Sequence, residues 1–100
     1  MNIPKTIKIG WRTYTIKIVS DLVGDSGEVL YGETDFTNYI IYLNKDININ
    51  EQKVTLLHEI QHCIYHAQGN IEWRDNEVLI SANAEGLFQL MKDDVKLFEG

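Results

Sequence analysis

Apolar and polar positions alternate through the first part of the chain. Thr6 to Ile9 and Arg12 to Val19 place Ile7, Ile9, Tyr14, Ile16 and Ile18 two apart within each run, the period of a half-buried strand. Gly10 lies between the runs, where a tight hairpin needs a permissive backbone. SDLVGDSGE is rich in turn formers and predicts a loop. A second strand pair is expected over Val29 to Asp35 and Tyr39 to Leu43, joined around FTN; Tyr39 to Leu43 is an unbroken β-prone run.

After Leu43 the period changes to that of helices. Asn48 and Glu51 have the spacing of a capping box, with Asn50 as a rival cap, and the helical pattern runs to about Ala67, where Gly69-Asn70 supplies a stop. NIEWRD connects to a second cap at Asp75 or Asn76, and a final helix is expected to about Asp94, fraying toward Phe98. The order β-β-β-β-α-α predicts an α+β fold: a small, mainly antiparallel four-stranded sheet with two helices on one face. Trp11, Trp73 and the five tyrosines are expected to fill the small core and cover its edges.

One hundred residues suit a single domain, residues 1–100, with one modest core. Hydrophobic content of 44% and charged content of 24% are those of an ordinary globular chain. A net charge of -6 and no cluster of Lys and Arg argue against a nucleic-acid binder. The start MNIPKTIKIGWRTYTIKIV lacks the apolar core and cleavage site of a signal peptide, and no apolar run approaches the roughly 20 residues needed to cross a bilayer. The lone Cys63 fits a reducing compartment, so a cytoplasmic protein without a membrane partner is expected.

All three histidines fall in one segment, LLHEIQHCIYH. His58, Glu59 and His62 spell H-E-x-x-H. Positions four apart share a helix face, so two imidazoles can converge on one zinc ion. Glu59 projects beside the pair, where a carboxylate can take a proton from the attacking water. Leu56, Leu57, Ile60, Cys63, Ile64 and Ala67 are predicted to form the core-facing arc, with the histidines and Tyr65 opposite. Cys63 then reads as a small buried hydrophobe. His66 is about 12 Å of helix rise from His58 and cannot join the same ion; it reads as a helix-end residue favoured by the dipole. The longer H-E-x-x-H-x-x-G-x-x-H pattern is absent, since Tyr65 and Gln68 stand at its glycine and last histidine.

A third ligand must come from elsewhere, and Glu72, Asp75, Glu77, Glu85, Asp93 and Asp94 are the candidates. Ile80, Ala84, Leu87, Phe88, Met91, Val95 and Phe98 form an apolar stripe on the final helix. Glu77 falls in that stripe at its start. A carboxylate aimed toward the core is costly unless something positive meets it, and a metal on the facing helix would. Glu77 as a first-turn acid held by the helix dipole, and Glu85 as the true ligand, are the rivals. Tyr65 and Tyr42 are candidate oxyanion stabilisers by position alone.

TLLHEIQHCI with the downstream AEGLFQLMKDD resembles the small zincin-type proteins of phages and mobile elements, related to the ImmA/IrrE group of gluzincin metallo-endopeptidases. The similarity is strongest over about Thr55 to Asp94. It implies a minimal zincin-like domain, zinc held by His58, His62 and Glu77, Glu59 as general base, and a protein substrate such as a repressor or another intracellular protein. Ala82-Asn83 lies a residue or two beyond the family's register relative to Glu77, which keeps Glu85 in play. The strand Tyr39 to Leu43 is expected to form the rim of the cleft, offering a free edge to an extended peptide. The alternatives are a zinc-binding regulatory or interaction module with weak or lost activity, and a metal-free interaction protein that carries H-E-x-x-H by accident.

Overall fold

The computed structural model describes residues 2–93. Asp94, Val95 and Phe98, named above as a ligand candidate and as part of the apolar stripe, lie outside them. The hairpin forms as expected: β1 (Thr6–Ile9) pairs antiparallel with β2 (Arg12–Val19), with Ile9 opposite Arg12. Gly10 takes φ +63° in the turn between them. Trp11, at the tip, is 70% exposed rather than buried, with the Arg12 guanidinium 4.3 Å above its ring. Trp73 is also half exposed. The tyrosine that does fill the core is Tyr14.

The sheet is mixed. Its order is β1-β2-β4-β3, with β3 (Gly32–Asp35) and β4 (Ile40–Asn44) antiparallel to each other and β4 parallel to β2. The connection after β2 carries the chain past one strand position, and β4 returns to fill the gap. That connection is the expected loop, closed by a Val23–Val29 bridge and by Leu30 N–H donating to the Leu22 carbonyl at 3.0 Å. Val29 therefore belongs to the loop, and the strand begins at Gly32. Tyr39 is not a strand residue either: it sits at φ 57° in the turn joining β3 to β4. The Asp35 carboxylate organises that turn by accepting from the Thr37 and Asn38 N–H groups at 2.9 and 3.0 Å.

Helix α1 (Ile49–Ala67) starts at Asn48, whose side chain accepts from Glu51 N–H at 2.9 Å. It stops at Gly69, φ +70°. The stretch expected to be a plain connection contains a one-turn helix, α2 (Ile71–Arg74), capped by Asn70. Asn76 rather than Asp75 caps α3 (Glu77–Asp93), accepting from Leu79 N–H at 3.1 Å.

The core joins Ile9, Tyr14, Ile16, Ile41 and Leu43 of the sheet to Leu56 and Cys63 of α1. α1 covers the sheet, and α3 lies against α1. The buried side of α1 is rotated from the expected arc: Gln52, Thr55, Leu56, Glu59 and Cys63 are buried, whereas Ile64 and Ala67 are exposed. β3 rises against the helix at Thr55 and Glu59, turning these polar positions inward. On α3, Ile80 and Ala84 are fully buried against α1, but Leu87 and Met91 are exposed. Gln61 ties the two helices, donating to the Ile80 carbonyl at 3.2 Å and to the Leu57 carbonyl at 3.3 Å.

Candidate metal centre

The long helix α1 presents His58 and His62 one turn apart, and the first turn of α3 brings Glu77 against them. His58 Nε2 lies 2.9 Å from Glu77 Oε2, and His62 Nε2 lies 3.2 Å from Glu77 Oε1. One ligand atom from each of the three lies within 4.8 Å of the others, close enough to hold a metal ion. The Glu77 side chain is 65% exposed. It points across the end of α3 toward the imidazoles and not into the core, because the stripe becomes buried only one turn later, at Ile80.

Both rings are held from behind. His62 Nδ1 meets the backbone carbonyl of Arg74, in α2, and a carbonyl only accepts, so this nitrogen carries the proton. In a neutral ring Nε2 is then a lone pair, yet it faces a carboxylate oxygen. Imidazole oriented by a backbone carbonyl is the usual support of a metal ligand. His58 Nδ1 lies 3.3 Å from the Ser81 hydroxyl, one turn beyond Glu77 on α3.

Glu59 occupies the other flank. It is 6% exposed, accepts from the Thr34 hydroxyl at 2.7 Å, and its second oxygen is 3.9 Å from His58 Nε2. Burial raises its pKa, opposed by the Thr34 bond and by the two imidazoles. A raised carboxyl is better matched to accepting and returning a proton near neutral pH. Glycine at position 32 allows the approach of β3: a Cβ there would sit 2.4 Å from Thr55 Cγ2 and 3.3 Å from Glu59 Cγ. A hollow of about 450 Å³ opens over the group, bordered by Thr34, Phe36, His58, Glu59, His62 and Glu77 among others.

The remaining candidates do not join the cluster. Glu72 is exposed. Asp75 borders the hollow but pairs with Arg74 at 2.9 Å, and Asp93 accepts from Gln89 at 3.0 Å. Glu85 lines a neighbouring hollow. Tyr42 and Tyr65 border neither hollow; Tyr65 packs edge-on against Trp73. His66 lies in the last turn of α1, as expected. Its ring stacks on Phe36 at 4.3 Å, and the Arg74 guanidinium donates to its Nδ1 at 3.1 Å. Burial, then Arg74 and Arg12, lower its pKa. Cys63 is fully buried, which pushes its thiol up to about 11. The Tyr14 hydroxyl, also buried, lacks a hydrogen bond of regular geometry.

The cleft rim also differs from expectation. β4 lies between β2 and β3 and has no free edge; the edge strand beside the histidines is β3. The sequence reading missed Thr34, Gly32, Ser81 and the Arg74 carbonyl. Ser81 had a signal, its four-residue spacing from Glu77. The others become visible only once strand pairing is known.

Among the described residues no helix is long and apolar enough to cross a membrane. Comparison with curated proteins and with solved structures gave no match. The family model for the IrrE N-terminal-like domain, Peptidase_M78, matches residues 13–85, a span containing every residue of the cluster. The chain therefore belongs to the IrrE N-terminal-like family.

Proposed function

We propose that the chain is a zinc-dependent metallopeptidase that hydrolyses a peptide bond of an intracellular protein, a repressor-type regulator being one such substrate, in the cytoplasm. The observation that carries this reading is the convergence of His58, His62 and Glu77 on one point, with a buried carboxylate beside them. Two imidazole nitrogens and a carboxylate are a donor set suited to catalytic zinc, and His58, His62 and Glu77 would hold the ion. Bound there, zinc supplies Lewis-acid polarisation of the scissile carbonyl and lowers the pKa of water.

The chain's own groups do the rest. Glu59, held by Thr34 and raised by burial, takes the proton from the attacking water at its free oxygen and returns it to the leaving amine. The Arg74 carbonyl keeps His62 in the tautomer that presents Nε2. The extended substrate lies along β3, the free sheet edge next to the site, pairing its backbone with unpaired groups of that strand.

Metal analysis of the purified protein, with cleavage of a denatured model protein by the native chain and by Glu59→Gln, tests the reading. About one zinc per chain in both, and cleavage at least about a hundredfold slower in the variant, is expected. Equal rates for the two proteins, or no cleavage by the zinc-loaded native chain, would refute it.

A further inference from the structure

Glu85 stays away from the histidines, but it borders a second hollow of about 370 Å³ between α1, α3 and the start of β3. His58 and Glu59 line both hollows, so this one opens directly beside the reacting groups. Its walls combine the apolar surfaces of Tyr31, Val54 and Ala84 with the carboxylates of Glu51 and Glu85, and no lysine or arginine borders it.

The two carboxylates have no other occupation among the described residues. Neither makes an ion pair there. Glu51 has capping-box spacing, but the cap forms in one direction only: Asn48 takes the Glu51 N–H, and no bond returns from the Glu51 carboxylate. Seven residues of helix place Glu51 about 10 Å from His58 along α1, and Glu85 is about 6 Å beyond Ser81 along α3. The acids therefore stand at the end of the hollow away from the histidines. A side chain entering from the histidine end has to be long to reach them.

We propose that this hollow is the subsite for the residue beside the scissile bond and that it selects lysine or arginine. Its apolar walls cover the methylene stem, and Glu51 and Glu85 receive the charged head. Low-dielectric walls and a net charge of -6 strengthen the attraction for cations. The assignment deepens the metallopeptidase reading and rests on it for the position of the scissile bond.

Acetylated tripeptides with lysine, leucine or glutamate at the centre, titrated into the zinc-loaded full chain carrying Glu59→Gln, read the pocket without turnover. The lysine peptide is expected to bind about tenfold tighter than the leucine peptide, with the glutamate peptide weakest, and Glu51→Gln with Glu85→Gln should erase the difference. Glu51 is half-buried and Glu85 exposed, and neither belongs to the core, so the pair of changes leaves the core intact. Equal affinities, or a preference that survives the double change, overturn the assignment. Mapping cut sites on a denatured protein separates the two readings. Cleavage without a basic residue on either side of the cut sinks the pocket alone. A lysine preference in binding without any cleavage sinks the peptidase, and with it the hollow's place beside a scissile bond, but upholds its selection of a basic side chain.

Discussion

The Thr34 hydroxyl donates to Oε1 of Glu59 at 2.7 Å, tying the edge of the sheet to the buried carboxylate of α1. It opposes the effect of burial on that carboxyl and leaves one oxygen directed toward His58. Thr34→Val keeps the shape and removes the donor. We expect kcat to fall about tenfold with KM little changed, while Thr34→Ser retains most of the rate. Zinc content should be the same in all three proteins. A loss of metal in Thr34→Val would mean that the bond supports the ligands and not the base.

Gly32→Ala tests how closely β3 approaches the helix. The added methyl meets Thr55 Cγ2 at 2.4 Å and the Tyr42 carbonyl at 3.1 Å, and backbone on one side limits relief. Overpacking of this kind costs about 1–3 kcal/mol, to be read from urea denaturation. Combining it with Thr55→Ser removes the nearer contact and should recover part of that loss. Additive losses in the double variant would show that Thr55 is not the obstacle.

Much of this centre was legible in the sequence because helix geometry is local. Four-residue spacing of His58 and His62 needs no tertiary information to become one face. Glu77 was reached from the α3 stripe, although its carboxylate proves exposed at the helix start. Sheet order was not legible. Alternation predicts strands but not neighbours, so β4 was read as an edge when it is central, and Thr34 could not be assigned to the site. The tryptophans misled for a related reason: large apolar residues at a hairpin tip and on a one-turn helix have no layer above them.

Metal removal should cost stability as well as activity. α1 and α3 meet at the cluster through Glu77, so an ion bound there holds the two helices together. At free zinc a hundred times the Kd, binding to the folded state alone contributes about 2.7 kcal/mol, or roughly 10 °C or more in Tm for a chain this size. Chelation should lower Tm by that order in the native chain and leave His62→Ala unchanged. A chelator without effect on the native protein would exclude a resident metal at this position.

His66 gives a pH dependence separate from the cluster. Its ring lies on Phe36, and the charges facing it are Arg74 from α2 and Arg12 from β2. Burial, Arg74 and Arg12 together hold its pKa below 6.5 in the folded chain. Above pH 6.5 neither state takes up this proton, and the group adds no pH dependence. As pH falls below 6.5 the unfolded chain binds the proton first, so folding stability drops until the folded-state value is passed. His66→Gln removes this contribution, at a fixed cost from the lost stacking that does not vary with pH. The gap in unfolding free energy between native and variant should therefore narrow from pH 7.5 to pH 5.5 in urea titrations. A gap that stays constant would mean that burial and the two arginines do not lower the His66 pKa in solution.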